Sequence, residues 1–420
     1  MGNRAGRRIS IDDLPSEIPD AARVYVSQAT GTPYGLLDRL AEARDSWSAL
    51  EFVSAFVLRE PAPLQFLAEP FSWKSMQPTG SMRNGLDHPA FSIIPARYSD
   101  FAGLVSPGGP LAADVVMCQV SPPDGNGDLT LGTSVGAHAA LLDTAPLVIG
   151  QVNPQMPHVF GVGERHTSDF DLLVEVDEPL AELPPASIDE TSAAIARHIE
   201  PFIPDRSTLQ FGIGAVPDAV MSTLTDRTGL GLHGGMVNDA CVDLVESGAA
   251  DNMNKGRDPG ISVAAEVIGT RKAFDWVDRN PRVRLVHGDH SHGIPGMASV
   301  ANFVALQSTV EIALDGSANS EFAAGRYISG PGGAPDFAFG ASVATGGRSI
   351  LALPSTAAKG SISKIVQRVA EGAPTTLPSY TADVVVTEFG AVELRGRTLE
   401  ERAELLISIA HPDHRAALEG

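Results

Sequence analysis

Two α/β halves are the fold predicted for this chain, and three observations predict it. The chain has 420 residues, more than a single core usually serves. Short, nearly continuous apolar runs recur in both halves, as expected of parallel-sheet strands covered by helices on both faces. Two segments also share one plan of strand, Gly-rich turn, Pro and helix: RVYVSQATGTPYGLLDRLAEAR near the start and STLQFGIGAVPDAVMSTL about halfway. Their residue identity is too low to establish a repeat.

In chain order, Arg4, Arg7 and Arg8 are followed by acidic IDDLPSEIPD rather than an apolar core. This argues against a cleaved signal peptide and reads as a loose tail. LEFVSAFV, ADVVMCQV, APLVIGQV and DLLVEV supply strands of the first half. AELPPAS, Ala181 to Ser187, reads as a linker and places the boundary near Pro185, giving domains 1–185 and 186–420. Ser187 with Glu190 forms a capping-box pattern for a helix running to about Ile199. RVRLVHG, VEIALDG, SILALPS and DVVVTEFG supply strands of the second half. In TLEERAELLISIAH, Thr398 and Glu401 form another capping box, and Pro412 is expected to stop that helix.

Composition excludes several classes. Apolar residues make up 43% and charged residues 19%, too apolar for disorder. No uninterrupted apolar run reaches the roughly 18 residues that span a bilayer. The formal net charge of −21 disfavours nucleic acid and anionic membrane as partners. An anionic small substrate therefore needs a local basic patch. Cys118 and Cys241, far apart and without metal-type spacing, fit a reducing compartment and make cytoplasmic location the expectation.

Several segments carry candidate chemistry. GLHGGMVNDACVDLVESG joins a strand end to a Gly-Gly turn and a helix, and presents His233, Gly234, Gly235, Asn238 and Asp239. Free N–H groups at such a turn suit an anion or a developing oxyanion; the bland reading is a tight connector. GIGAVP has G-x-G but lacks the third glycine of a dinucleotide fingerprint, and no P-loop pattern is present. GGRSILALPSTAAKGSISKIVQR reads as strand, turn and a helix bearing Lys364 and Arg368. Ser355, Thr356, Lys359 and backbone N–H groups at that helix start are candidates for phosphate. SGPGGAPDFAFG adds a second flexible loop at Gly332 and Gly333. HGDHSHG holds His287, His290 and His292 around Asp289, but its spacing fits no zinc pattern and a polar loop is the simpler account. His158, His166 and Glu164 are further acid–base candidates.

SPPDGNGDLTLG, VIGQVNPQMPHVFG, LQFGIGAVPDAV, GLHGGMVNDACVDLVESG, ILALPSTA and VVVTEFGAVELRGRTLEERAELLISIAHPDHR together resemble the acetyl-CoA hydrolase/transferase family, which includes 4-hydroxybutyrate and butyrate–acetate CoA-transferases. The resemblance spans about Thr30 to Arg415. It implies two similar open α/β domains of the CoA-transferase type with an active site in the cleft between them, usually in a homodimer, and coenzyme A bound as a thioester substrate near Gly332–Phe337 and ILALPSTA; no metal is expected. The family's turn reads His-Thr/Ser-Glu-Met, and its glutamate attacks the thioester. Here the corresponding residues are His233, Gly234, Gly235 and Met236, so no side chain is present for that covalent route. Gly333-Ala334-Pro335, LPSYTADVVVTEFG and HGDHSHG depart from the family pattern as well.

Three functions follow. The first is an enzyme acting on an acyl-CoA thioester without a glutamyl-CoA intermediate, by hydrolysis, direct acyl transfer or C–C hydrolysis. It needs a base, for which His233 and Asp239 are placed first and Glu164, Asp289 and His290 follow; Gly234 and Gly235 supply oxyanion N–H groups, and the vacated space is open to water or a bulkier acyl group. The second is a true CoA-transferase with a relocated carboxylate such as Glu388 or Glu393. The third is a non-catalytic acyl-CoA-binding protein.

Overall fold

The computed structural model describes residues 4 and 6–419 and divides into two compact units. The first is the chain up to Leu183 together with Met236–Asn238 and Val263–Gly288; the second is Pro184–Gly235, Asp239–Ser262 and the chain from Asp289 onward.

The first unit is built on an 8-stranded sheet. Its order is Arg7–Ile9, Leu172–Glu175, Leu147–Val152, Val115–Val120, Arg23–Val26, Leu50–Ser54, Phe71–Ser75 and Phe91–Ile93, with every pairing parallel. Val115–Val120 is buried at every residue, which explains its continuous rather than alternating apolar pattern. The first opener forms the strand Arg23–Val26 and the helix Tyr34–Glu42. Leu36, Leu37 and Leu40, at helical spacing, are fully buried against a core that includes Val24, Phe52 and Trp73. Each such leucine contributes about 1.5–3 kcal/mol by leaving water. The Phe52 ring stacks on Trp73 with centroids 5.0 Å apart.

The loose-tail reading is corrected. Arg7–Ile9 is an edge strand in register with Leu172–Val174, and Arg4 and Arg8 pair with Asp171 and Glu175. The ladder bonds satisfy a backbone that its own charged side chains marked as solvent-facing.

The second unit holds a 6-stranded sheet in the order Gly231–Leu232, Thr208–Phe211, Phe303–Ser308, Arg348–Ala352, Val384–Thr387 and Gly390–Glu393. All pairings are parallel except the closing hairpin. Two segments expected here lie elsewhere. Val283–Leu285 pairs with Ser262–Ala264 and belongs to the first unit, and Glu311–Ala313 joins a separate 3-stranded sheet. The place between Thr208–Phe211 and Arg348–Ala352 is taken by Phe303–Ser308, whose Gln307 and Ser308 hide the strand pattern.

Helix ends show which cues were local. The Thr398–Glu401 capping box forms, with Glu401 N donating to Thr398 Oγ1 at 3.3 Å and Thr398 N to Glu401 Oε2 at 2.9 Å. Ser187 does not cap its helix; Asp189 does, accepting from Ser192 N at 2.7 Å, and the helix is Glu190–Ile199. Pro412 begins the helix Pro412–Glu419 rather than ending the preceding one, which closes at Ser408. Proline suits a first helical position because its missing N–H has no intrahelical partner there. Among the described residues no helix is long and apolar enough to cross a membrane.

Thr398→Ala removes one half of a formed capping box and is expected to lower stability by about 1 kcal/mol. Urea unfolding should show a lower midpoint at unchanged slope.

Candidate active site

In the second unit, Gly231–Leu232 runs parallel to Thr208–Phe211, and His233 N continues the ladder by donating to Leu209 O at 3.0 Å. The chain then turns at Gly234 and Gly235, whose N–H groups have no acceptor among the described residues. Neither glycine has positive φ, so left-handed backbone is not the reason for them. Close approach is. A Cβ on Gly234 would stand 3.2 Å from Gln210 Cγ, and one on Gly235 would stand 3.2 Å from His292 Nε2.

His292 is the main correction to the sequence reading of HGDHSHG. It is only 3% exposed, so this stretch is not simply a polar loop. Its ring lies between Gly235 and Gly333; a Cβ on Gly333 would fall 2.7 Å from its Cδ2. It packs on Phe337 at 4.3 Å between centroids, and its Nδ1 shares a hydrogen bond with Ser291 Oγ at 2.8 Å. Burial lowers its pKa to about 3, so the imidazole is neutral. The space expected to be vacant beside Gly235 is occupied at its near end by this ring.

His233 is fully buried, and neither ring nitrogen has a hydrogen-bond partner. It stacks near His290 at 6.2 Å and meets the edge of Phe303 at 6.0 Å. Burial, followed by the charges of Lys255 and Arg257, lowers its pKa to about 3. Lys255 is itself buried, donating Nζ to Leu232 O at 2.8 Å and Ile261 O at 2.6 Å, and burial lowers it to about 7. His290 Nε2 lies 2.9 Å from Asp258 Oδ2. Asp239, 5% exposed, is the first residue of the helix Asp239–Glu246.

The phosphate candidates divide. Gly332, at φ +57, and Gly333 lead into the helix Ala334–Val343. Ser355 is committed elsewhere: its N–H and hydroxyl both donate to the Glu388 carboxylate, at 2.8 and 2.6 Å. Glu388 is thereby held at both oxygens, and Glu393 pairs with Arg348 at 3.3 Å on the surface. The helix expected to carry Lys364 and Arg368 is absent. Ile362–Ser363 pairs antiparallel with Thr356–Ala357, and Ile365–Val366 pairs with Ile312–Ala313. The β-branched Ile362, Ile365 and Val366 favour this, and Ile365 is fully buried in the core. Lys359 stands exposed at φ +58, while burial lowers the pKa of Lys364 against the opposing pull of Glu388.

The first unit contains a group that the sequence reading passed over. Glu266 is 2% exposed in the short strand Glu266–Val267. Its Oε1 accepts from Gln28 Nε2 at 2.6 Å and from Tyr98 OH at 3.0 Å, and Gln28 Nε2 also donates to Tyr98 OH at 2.9 Å. The Ser134 hydroxyl and the Gly136 N–H also face this carboxyl. Burial raises the carboxyl from its ordinary 4.5 to about 8, opposed by Ser134, Tyr98 and Gln28. A lone acid within the apolar run ISVAAEVIG was the available signal. The other first-unit candidates are held in place locally. His166 Nδ1 meets Ser168 Oγ at 2.7 Å, its Nε2 meets Asn126 O at 3.0 Å, and Glu164 accepts from Gly161 N at 3.0 Å. Burial lowers the pKa of half-buried His158. Among the described residues no group of three or more His, Cys, Asp or Glu is placed to hold a metal.

Two parallel α/β units define a protein of the CoA-transferase type. The acetyl-CoA hydrolase/transferase N-terminal domain matches residues 7–182 and the C-terminal domain of the same name matches residues 269–420. The chain belongs to this family. It is 34% identical to the 4-hydroxybutyrate coenzyme A transferase of Clostridium kluyveri, over 98% of this chain and 96% of that protein. It is 37% identical to the succinyl-CoA:cyclohexane-1-carboxylate CoA transferase of Geobacter metallireducens, over 73% and 70% of the two chains. The crystal structure of RipA from Yersinia pestis superposes with a TM-score of 0.93 at 31% identity, covering 98% of this chain and 96% of that one.

Two outcomes are expected. Gly333→Ala should cost about 1–3 kcal/mol by overpacking against His292, read as a lower melting temperature. Because folding raises the pKa of Glu266, the native state binds the extra proton between 4.5 and about 8. Its contribution to stability is therefore fully present below 4.5 and is lost as pH rises through about 8. Glu266→Gln should remove that decline, so the melting-temperature difference, variant minus wild type, should grow with pH across this window.

Proposed function

We propose that this protein processes an acyl-CoA thioester without forming a glutamyl-CoA intermediate at residue 235. The observation that carries the proposal is the Gly235 position itself: it has no side chain to attack with, and the His292 ring stands 3.2 Å from where a Cβ would be. The relatives' names speak of CoA transfer, and the family name of both hydrolysis and transfer. Hydrolysis, or direct attack by an acceptor, is the chemistry compatible with a missing nucleophile.

In this reading the N–H groups of Gly234 and Gly235 hold the developing oxyanion. His233, neutral at working pH, contributes its ring N–H, and Asp239 is the acid–base side chain beside the turn. Coenzyme A is held by Lys359, Thr356, Lys364 and backbone N–H groups at the Gly332–Gly333 helix start; Ser355 fixes Glu388 and shapes the loop. A relocated nucleophile at Glu388 or Glu393 finds no support, since the first is spent on Ser355 and the second on Arg348 at the surface. A cytoplasmic homodimer that takes neither nucleic acid nor membrane as partner completes the proposal.

The test is release of free thiol from a panel of acyl-CoA thioesters, with and without acceptor carboxylates, combined with borohydride or hydroxylamine trapping. Thiol release without an adduct is expected. A glutamyl-CoA adduct would sink the non-covalent route, and no turnover on any thioester would leave an acyl-CoA-binding protein. Replacing His233 or Asp239 with Ala should lower thiol release by about 10²-fold while CoA binding persists. Unchanged turnover would remove that residue from the site.

A further inference from the structure

Resting on the thioester reading above, we propose that Lys255 is the positioning residue of the His233–Gly235 turn: by holding the Leu232 carbonyl, its buried amine fixes where the turn's N–H groups stand, and so how well they meet a developing oxyanion. Three features lead to it, and all of them lie within the second unit.

The first is the place of the amine. Lys255 is fully buried, and its Nζ donates to Leu232 O at 2.8 Å and to Ile261 O at 2.6 Å. Lysine almost never goes inside unless its head is hydrogen-bonded there. The Leu232 carbonyl belongs to the same peptide group as the His233 N–H, which donates to Leu209 O at 3.0 Å. That peptide is therefore held at both ends. Two consecutive glycines follow it, and a Gly-Gly backbone has so much conformational freedom that its N–H groups keep one direction only if the chain entering the turn is fixed.

The second is a bracket around Leu232. Gly231–Leu232 is the edge strand of its sheet; the N–H groups of Gly231 and His233 donate to Ser207 O and Leu209 O, and the N–H and C=O of Leu232 face away from the neighbouring strand. Side chains of one loop take both. Asn252, 2% exposed and at φ +61, accepts from Leu232 N at 2.7 Å through Oδ1 and donates Nδ2 to Ser262 Oγ at 3.1 Å. Lys255 takes the carbonyl. The loop is itself tied down, since Asn252 N donates to Leu230 O and Ala301 N to Lys255 O, each at 2.9 Å.

The third is the room made for the lysine stem. A Cβ on Gly231 would stand 2.4 Å from Lys255 Cγ and 3.0 Å from its Cδ. Gly231 does not have positive φ, so passage of this stem accounts for glycine there.

A neutral amine has two N–H donors, and they match the two carbonyls. The third proton brings a charge. Burial lowers the pKa of Lys255 from 10.5 to about 7, opposed by Asp258 and reinforced by Arg257. The remaining titratable group facing it is His233, which the lysine charge helps to keep neutral. In its protonated form Lys255 adds positive potential at the entrance to the turn, where it favours an oxyanion on the Gly234 and Gly235 N–H groups. As pH rises through about 7 that charge is lost while the two hydrogen bonds remain.

The experiment compares thiol release across about pH 6–9 for the full-length wild type, Lys255→Met and Lys255→Gln, each well below its own melting temperature, on an acyl-CoA that the wild type turns over. Lys255→Met keeps the stem and loses the donors, so kcat should fall by about 10- to 10²-fold with KM within about twofold of wild type. Lys255→Gln keeps two N–H donors without the charge and should recover part of that loss. The ratio of wild-type to Lys255→Gln kcat should fall as pH rises through about 7, because the wild type then gives up its own charge. A lysine that only stabilised the fold would lower the melting temperature and leave kcat and this ratio unmoved. A kcat within about twofold of wild type in folded Lys255→Met, or a loss confined to KM, would overturn the inference while leaving the thioester reading intact. Absence of wild-type turnover on every thioester would remove that reading and this inference with it. If Lys255→Met fails to fold, a wild-type to Lys255→Gln ratio that stays constant through about pH 7 overturns it.

Discussion

Burial of the parallel sheets on both faces is the constraint on which the rest of the structure depends. Strands such as Val115–Val120 lie wholly out of water, so each polar side chain among them must find its partner inside the protein. Most do. Gln119 Nε2 donates to Thr32 O at 2.6 Å, and Asn153 Nδ2 to Gln119 Oε1 at 2.8 Å. Gln151 Nε2 donates to Glu178 Oε1 at 2.7 Å. His233 differs from these in that both of its buried ring nitrogens lack a hydrogen-bond partner.

The same burial sets the electrostatics. It raises Glu266 and lowers His233, His292 and Lys255, in each case toward the neutral form. A chain of formal net charge −21 thus keeps the interior near its candidate chemistry close to neutral and leaves most of its charge at the surface. Within the proposed function, the developing oxyanion meets the N–H groups of Gly234 and Gly235, while the charged end of CoA is met by exposed Lys359.

Cues within a few residues of one another were legible in the sequence where the local interaction also decided the outcome. The Thr398–Glu401 box forms because both partners lie within one helical turn. The opener at Arg23–Glu42 forms as read because its apolar spacing and Pro33 agree. Ser187 had the right spacing but lost to Asp189, whose carboxylate accepts from Ser192 N. The segment around Lys364 had helix-compatible charges, yet Ile365 gained more by burial in a strand. His292 was read as part of a polar loop, because nothing local indicates that Gly235 and Gly333 would close around its ring.

By itself, the sequence determined the α/β class, the apolar strands, the family, and the glycine at residue 235, since each is written in composition, periodicity or residue identity along the chain. Tertiary structure alone decided that Val283–Leu285 joins the first unit, that His292 fills the space beside Gly235, and that Gln28, Tyr98 and Glu266 share one hydrogen-bonded cluster. Gln28 and Glu266 are 238 positions apart. Desolvation and hydrogen-bond geometry arise only when folding brings such distant residues together, so the proton affinity of a buried carboxyl is a property of the packed molecule and not of its sequence neighbours.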